Sequence, residues 1–293
     1  MLETQAIRVR LGLRLTSKQE SIPGMSFFRD SAACLLRPHD VHVWSLRLDL
    51  ARSEQDRLEA SLSTDEAARA RRFAHAIDRT RFVCAHGLLR LVLSGYTGAQ
   101  PWELMFQGAP GSRPRLADHQ GPRFSLTHSG SLGLVAVNAA REVGVDLEEI
   151  REIGDFEHLA ATCFSAVERA ALAAVPASRR RAAFFAGWTR KEALLKALGE
   201  GLSRPLGSFD VTLTPGEPAR VLRFAGAPDV PRRYTLHSLH PAAGFVGALA
   251  VEGRAVTLRW RPWETTSAVL EEAWAPPDAV ESTDLLPAGE GQP

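Results

Sequence analysis

The run Trp188-Thr189-Arg190-Lys191-Glu192-Ala193-Leu194-Leu195-Lys196-Ala197-Leu198-Gly199 constrains this chain more than any other stretch. It consists of strong helix formers and closes on Gly199 and Gly201, which predicts a helix that stops there. Ala193, Leu194, Ala197 and Leu198 supply an apolar stripe. Trp188, Glu192 and Lys196 recur every four residues, so an aromatic, a carboxylate and an ammonium share another face. A solvated Glu-Lys pair at this spacing is common and is worth only about 0.2–0.5 kcal/mol. Composition argues for more. Of the 35 basic residues only Lys18, Lys191 and Lys196 are lysine, and two of these three fall within one turn and a half. Where arginine carries charge elsewhere, a retained lysine suits a compact, titratable point charge.

A second stretch complements the first. In Val143-Gly144-Val145-Asp146-Leu147-Glu148-Glu149-Ile150 strand alternation sends Val145 and Leu147 to one side and Asp146 and Glu148 to the other. Two carboxylates side by side repel and raise each other's pKa unless a cation sits between them, and a hard divalent ion is the simplest such cation.

The 293 residues, 45% of them hydrophobic, suffice for one large core or two smaller ones. No apolar run reaches the roughly 18–20 residues that cross a bilayer, and no convincing signal-peptide core opens the chain, so a cytoplasmic protein without a membrane is expected. Cys34, Cys84 and Cys163 are odd in number and widely spaced, in neither a disulfide nor a zinc pattern. The net charge of +1 conceals an asymmetry: residues 264–293 hold seven acids and no Lys or Arg, leaving a basic body suited to a polyanionic ligand or an acidic partner. Aromatics are not interleaved with the basic runs, so nucleic acid is not expected as a partner.

Along the chain, residues 1–39 read as a flexible extension and 264–293 as an acidic disordered tail. Val41 to Leu48 alternates as a strand. About Ser53 to Leu93 is helical, with Ser63-Thr64-Asp65-Glu66 as a start, and the arginines of Arg69 to Phe73 and Asp78 to Phe82 spread over several turns, enough to face a phosphate. Gly108 to Gly121 is a loop. Phe124 to Ser129 and Leu132 to Val137 form a hairpin that brings His128 toward Asp146 and Glu148. Ser165 and Glu168 make a capping box, which explains Glu168 without chemistry. Phe209–Leu213, Ala219–Phe224, Tyr234–Leu239, Phe245–Val251 and Ala255–Trp260 read as strands of one antiparallel sheet.

The paired stretches at 143–148 and 188–196, about forty residues apart, resemble the signature of the 4'-phosphopantetheinyl transferases of the surfactin-synthetase-activating (Sfp) type. Arg71-Arg72-Phe73, the later Leu88-Leu89-Arg90, Ser112-Arg113-Pro114 in place of the usual Gly-Lys-Pro, and Leu126-Thr127-His128-Ser129 extend the resemblance over about residues 40–262. It implies an α+β fold of two similar α/β halves, 40–140 and 141–263, related by a pseudo-two-fold with the active site in the cleft between them. It also implies a monomeric enzyme that moves 4'-phosphopantetheine from coenzyme A to a serine of an acyl or peptidyl carrier protein and releases adenosine 3',5'-bisphosphate. Asp146, Glu148 and Glu192 would hold Mg2+. Lys196 would meet a phosphate and the leaving group, and Glu192 or water on the metal would take the serine proton. Arg69, Arg81, Arg113, Thr127 and His128 would grip the nucleotide. Two other classes fit the same residues: a Mg2+-dependent phosphohydrolase or nuclease using water as nucleophile, and a non-catalytic module that binds carrier proteins, which would not need the acidic triad.

Overall fold

The computed structural model describes residues 35–108, 113–118, 121–201 and 204–262. Residues 1–34 of the expected extension and the whole expected tail, 264–293, lie outside the described residues, as does Ser112.

One order of elements occurs twice. Strand β1 (Asp40–Arg47) leads into helices α1 (Arg52–Ala60), α2 (Thr64–Ala70) and the 22-residue α3 (Ala76–Thr97). A small ribbon, β2 (Phe106–Gln107) with β3 (Arg115–Leu116), precedes the hairpin of β4 (Arg123–Ser129) and β5 (Leu132–Asn138). Then β6 (Val143–Glu149) leads into α4 (Phe156–Cys163), α5 (Ala166–Ala174) and the 22-residue α6 (Ala177–Leu198). A ribbon of β7 (Phe209–Val211) with β8 (Val221–Phe224) and a short helix α7 (Val230–Arg233) precede the hairpin of β9 (Tyr234–Leu239) and β10 (Phe245–Glu252). The strand order is β1-β5-β4 in one sheet and β6-β10-β9 in the other, with β11 (Thr257–Arg261) added parallel to β1. Both long helices end on a left-handed glycine, Gly98 (φ 73°) and Gly199 (φ 75°), the conformation that glycine adopts without steric cost.

Alternation along the strands builds the layers. Trp44 and Leu46 of the first sheet, with Leu48 just past β1, pack with Leu88, Leu91 and Val92 of α3. Its opposite face, through Val41, Val43, Leu134 and Ala136, packs on Val143, Val145 and Leu147 of β6. The far face of the second sheet, through Leu236, Ala248 and Ala250, meets Ala193, Leu194 and Ala197 of α6. Helices, sheet, sheet and helix are thus stacked, each fully buried Leu or Val contributing about 1.5–3 kcal/mol. Among the described residues no helix is long and apolar enough to cross a membrane.

Two expectations change. The helical stretch from Ser53 to Leu93 divides into three helices, and Ser63 and Glu66 do form a capping box at the start of the second. The five C-terminal strands do not share one sheet: β7 and β8 pair with each other, β9 and β10 join β6, and β11 crosses to β1. Strand propensity marks extended chain but names no partner, and the edge of β1 was open to β11.

Candidate active site

The site forms where β6 lies under α6. Val143, Val145 and Leu147 point into the core, which turns Gly144, Asp146 and Glu148 toward the helix. Gly144 permits the approach. A Cβ there would sit 2.1 Å from the Ala193 carbonyl oxygen and 2.4 Å from the Ala197 nitrogen, so any side chain would force strand and helix apart. On the helix, Trp188, Glu192 and Lys196 are the half-buried face, as their spacing predicts.

Polar contacts knit these elements. Lys196 Nζ donates to Asp146 Oδ1 at 2.7 Å and to the Val145 carbonyl at 3.1 Å. From β4, alternate side chains reach β6: Ser125 Oγ accepts from Val145 N (3.1 Å), Thr127 Oγ1 donates to Asp146 Oδ1 (3.1 Å), and Ser129 Oγ donates to Glu148 Oε2 (3.0 Å). The hydroxyls thus join the two sheets edge to edge at the acidic strand.

The carboxylates are not fully satisfied. Asp146 Oδ2 and Glu192 Oε1 are buried without a hydrogen-bond partner. Burial, then the charge of Asp146, pushes Glu148 up. Burial, then Asp146, and further Glu148, pushes Glu192 up to about 7, with Lys196 opposing. Orphaned oxygens and mutual repulsion leave negative charge that a cation would relieve, and an all-oxygen donor set suits a hard divalent ion. The donor chemistry therefore suits the ion that the sequence implies. Among the described residues, however, no three His, Cys, Asp or Glu side chains are gathered in position to hold a metal.

Beside this acidic group lies a cationic one. His128, at the end of β4, is solvent-reached yet hemmed in: desolvation, then the charges of His86, Lys196, Arg81 and Arg69, push it down to about 4. Arg69 lies over the Phe82 ring at 5.1 Å, and neither Arg69 nor Arg81 has an ion-pair partner among the described residues. An anion is what such a ring of cations can accept.

Three sequence-derived residues are already engaged by protein. Thr127 serves Asp146, as above. Arg113 Nη1 donates to the Lys196 and Ala197 carbonyls (3.2 and 2.6 Å), and its Nη2 lies 2.5 Å from Glu142 Oε2. Lys191, the second lysine of the opening stretch, is fully buried, ion-paired to Glu168 Oε2 at 2.7 Å and donating to the Leu206 and Phe209 carbonyls. Glu168 also accepts from Ser165 N, as the capping box predicts, and from Val211 N.

Sequence reasoning missed His86 and Glu66. His86 stacks on Phe82 (4.0 Å) with Nδ1 3.2 Å from Glu66 Oε1. Burial alone would raise Glu66, but His86, the Ser63 amide and Arg90 bring it down to about 2. Arg90 itself is buried, bonded to Glu66 and to the Pro101 and Leu104 carbonyls. The spacing of Phe82, His86 and Arg90 at four-residue intervals was the available signal. Next to Glu148 a pocket of about 300 Å³ is walled by Ile153, Leu159, Phe184, Phe185 and Trp188.

Residues 142–250, which carry Asp146, Glu148, Glu192 and Lys196, match the family model described as the 4'-phosphopantetheinyl transferase superfamily. The chain is 39% identical over 226 residues to the 4'-phosphopantetheinyl transferase HetI of Nostoc sp., covering 76% of this chain and 90% of that protein. It is 32% identical over 194 residues to the 4'-phosphopantetheinyl transferase psf-1 of Bacillus pumilus, covering 66% and 82%. Against the 4'-phosphopantetheinyl transferase Sfp of Bacillus subtilis it is 29% identical over 173 residues, covering 58% and 76%.

Proposed function

Because the chain belongs to the 4'-phosphopantetheinyl transferases and is an Sfp-like enzyme, we propose that it transfers 4'-phosphopantetheine from coenzyme A to a serine of an acyl or peptidyl carrier protein. The observation that carries this reading is Lys196 Nζ at 2.7 Å from Asp146, beside buried, unpaired oxygens of Asp146 and Glu192.

The reaction joins a serine oxygen to the β-phosphorus of coenzyme A and breaks the bond from that phosphorus to the bridging oxygen. Adenosine 3',5'-bisphosphate leaves. A magnesium ion held by Asp146, Glu148 and Glu192 would neutralise charge on the diphosphate. Lys196 stands at the same strand and stabilises the departing phosphate. Glu192, or a water beside it, takes the serine proton. His128, Arg69 and Arg81 grip the nucleotide phosphates and set the angle of attack. The resemblance implies two more nucleotide contacts, Thr127 and Arg113, and each of these is engaged with a protein group at this site. The apolar pocket beside Glu148 and Trp188 suits the pantetheine arm.

In the same reading the halves 40–140 and 141–263 are related by a pseudo-two-fold, which the recurring strand order β1-β5-β4 and β6-β10-β9 supports. The enzyme works as a cytoplasmic monomer on carriers, those of secondary metabolism included. Intact-mass spectrometry of apo-carriers incubated with enzyme, coenzyme A and Mg2+ tests this. One phosphopantetheinyl group should be added per carrier, with an equal amount of adenosine 3',5'-bisphosphate released. Phosphate-ester hydrolysis with no carrier modified would replace the transferase reading with a phosphohydrolase.

A further inference from the structure

The loop arginine Arg113 reaches two elements at once. Its Nη1 donates to the carbonyls of Lys196 and Ala197, and its Nη2 pairs with Glu142. Those carbonyls belong to the last turn of α6, where a cation is favoured, and the Lys196 carbonyl accepts from the Gly199 amide as well (3.2 Å). Glu142 immediately precedes β6. Arg115 and Arg123 also converge on Glu142, at 2.7 and 3.6 Å, so its carboxylate is anchored independently of Arg113. Two residues further on, Gly144 is the point where β6 touches α6. The guanidinium therefore ties the end of the helix that carries Glu192 and Lys196 to the start of the strand that carries Asp146 and Glu148.

We propose that Arg113 is a positioning residue, a clamp that holds Lys196 in register with Asp146, and that this is its contribution to the transfer. The proposal rests on the transferase reading for its kinetic consequence. The planar fork explains why arginine occupies the place: one guanidinium can address two carbonyls and a carboxylate, whereas a lysine ammonium is a single point on a flexible stem. A nucleotide contact at Arg113 would chiefly lower affinity for coenzyme A when removed. A clamp would chiefly lower the rate of the bound complex, because a small displacement of a group acting at the reaction centre is costly.

The test compares wild type with Arg113→Ala, Arg113→Lys and Glu142→Gln, measuring kcat and KM for coenzyme A in carrier loading and Kd for coenzyme A by calorimetry. A second readout needs no activity: the rate of acetylation at Lys196 by an amine-reactive reagent, followed by peptide mass spectrometry. With only three lysines in the chain, and Lys191 buried, the Lys196 signal is unambiguous. Expected for Arg113→Ala are a kcat lower by roughly ten- to a hundredfold, KM and Kd within about twofold of wild type, and acetylation of Lys196 several times faster, by roughly the factor of weakened holding. Arg113→Lys should recover only part of kcat, and Glu142→Gln should shift both readouts the same way. A rise in KM and Kd with kcat and acetylation unchanged would overturn the clamp and leave a nucleotide contact. If wild type itself neither binds coenzyme A nor loads carriers, the transferase reading fails. The acetylation rates then decide the clamp alone, and an unchanged rate at Lys196 sinks it.

Discussion

Helix α6 carries two lysines five positions apart, and each meets a carboxylate at 2.7 Å. Around Lys191 every polar group has a protein partner, although burial pushes Glu168 up and Lys191 down. The ammonium is fully buried, pairs with Glu168 and bonds two carbonyls, while Glu168 in turn accepts from two backbone amides. Around Lys196 the books do not balance. The ammonium is partly open to solvent, Asp146 and Glu192 each keep a buried oxygen without a partner, and Glu148 and Glu192 are pushed up by burial and by their acidic neighbours. A satisfied buried pair rigidifies a fold. A pair surrounded by surplus negative charge is held ready for something that arrives, and the second arrangement is the one whose neighbour His128 feels the charges of Lys196, Arg81 and Arg69.

The comparison breaks if the two lysines respond alike. Lys191→Met should cost about 3–5 kcal/mol of stability, because it leaves Glu168 in the core without its counter-ion. Urea denaturation measures this, and a loss below about 1 kcal/mol would mean that the buried pair is not holding α6 in place. Lys196→Ala should leave most of the stability intact yet lower carrier loading by about 10²–10³-fold, the usual effect of deleting a group that stabilises transition-state charge. Loading within a few fold of wild type would remove Lys196 from the chemistry.

A pH experiment sharpens the contrast. The folded pKa of Glu192 is raised to about 7 from an ordinary 4.5, so the native state keeps a proton that the unfolded chain releases between those values. Stability supplied by that proton is full below pH 4.5 and is lost as the pH rises through 7. Without divalent ions Glu192→Gln should therefore melt higher than wild type at pH 8, by roughly 1–2 kcal/mol after allowance for screening, and should match it near pH 4.5. Equal melting temperatures at pH 8 would mean that neither burial nor its acidic neighbours hold Glu192 up. The smallest expected effect is Ser129→Ala, which removes the hydroxyl's bond to Glu148 and the one it accepts from the Glu149 amide, both partly open to solvent, and should cost about 1 kcal/mol. Thermal melts that move by several times that amount would make the hydroxyl seam between the sheets more than a set of single bonds.

Much of this site was legible because its signals are local. Alternation at 143–149 and the four-residue recurrence of Trp188, Glu192 and Lys196 each depend only on near neighbours, as do the Gly199 stop and the Ser165 and Glu168 capping box. What could not be read depends on long-range docking. In sequence Lys191 and Lys196 are equivalent candidates, and only the 23-residue separation from Glu168, closed in the fold, makes the first structural. Arg113 sits in a Gly- and Pro-rich stretch with no periodicity, so nothing nearby announces that it bonds a helix end 83 residues later. The fate of β11 is of the same kind, since an edge strand chooses its partner by where the chain returns. His86 hid within an apolar helix, where a lone histidine reads as core.

Calorimetric titration of Mg2+ in the presence of coenzyme A tests most directly whether the uncompensated carboxylates between β6 and α6 await an ion. Wild type should bind one Mg2+ per chain, and Asp146→Ala, folded by its thermal melt, should bind none at the same concentrations. Unchanged affinity and stoichiometry in the Asp146 variant would contradict the account.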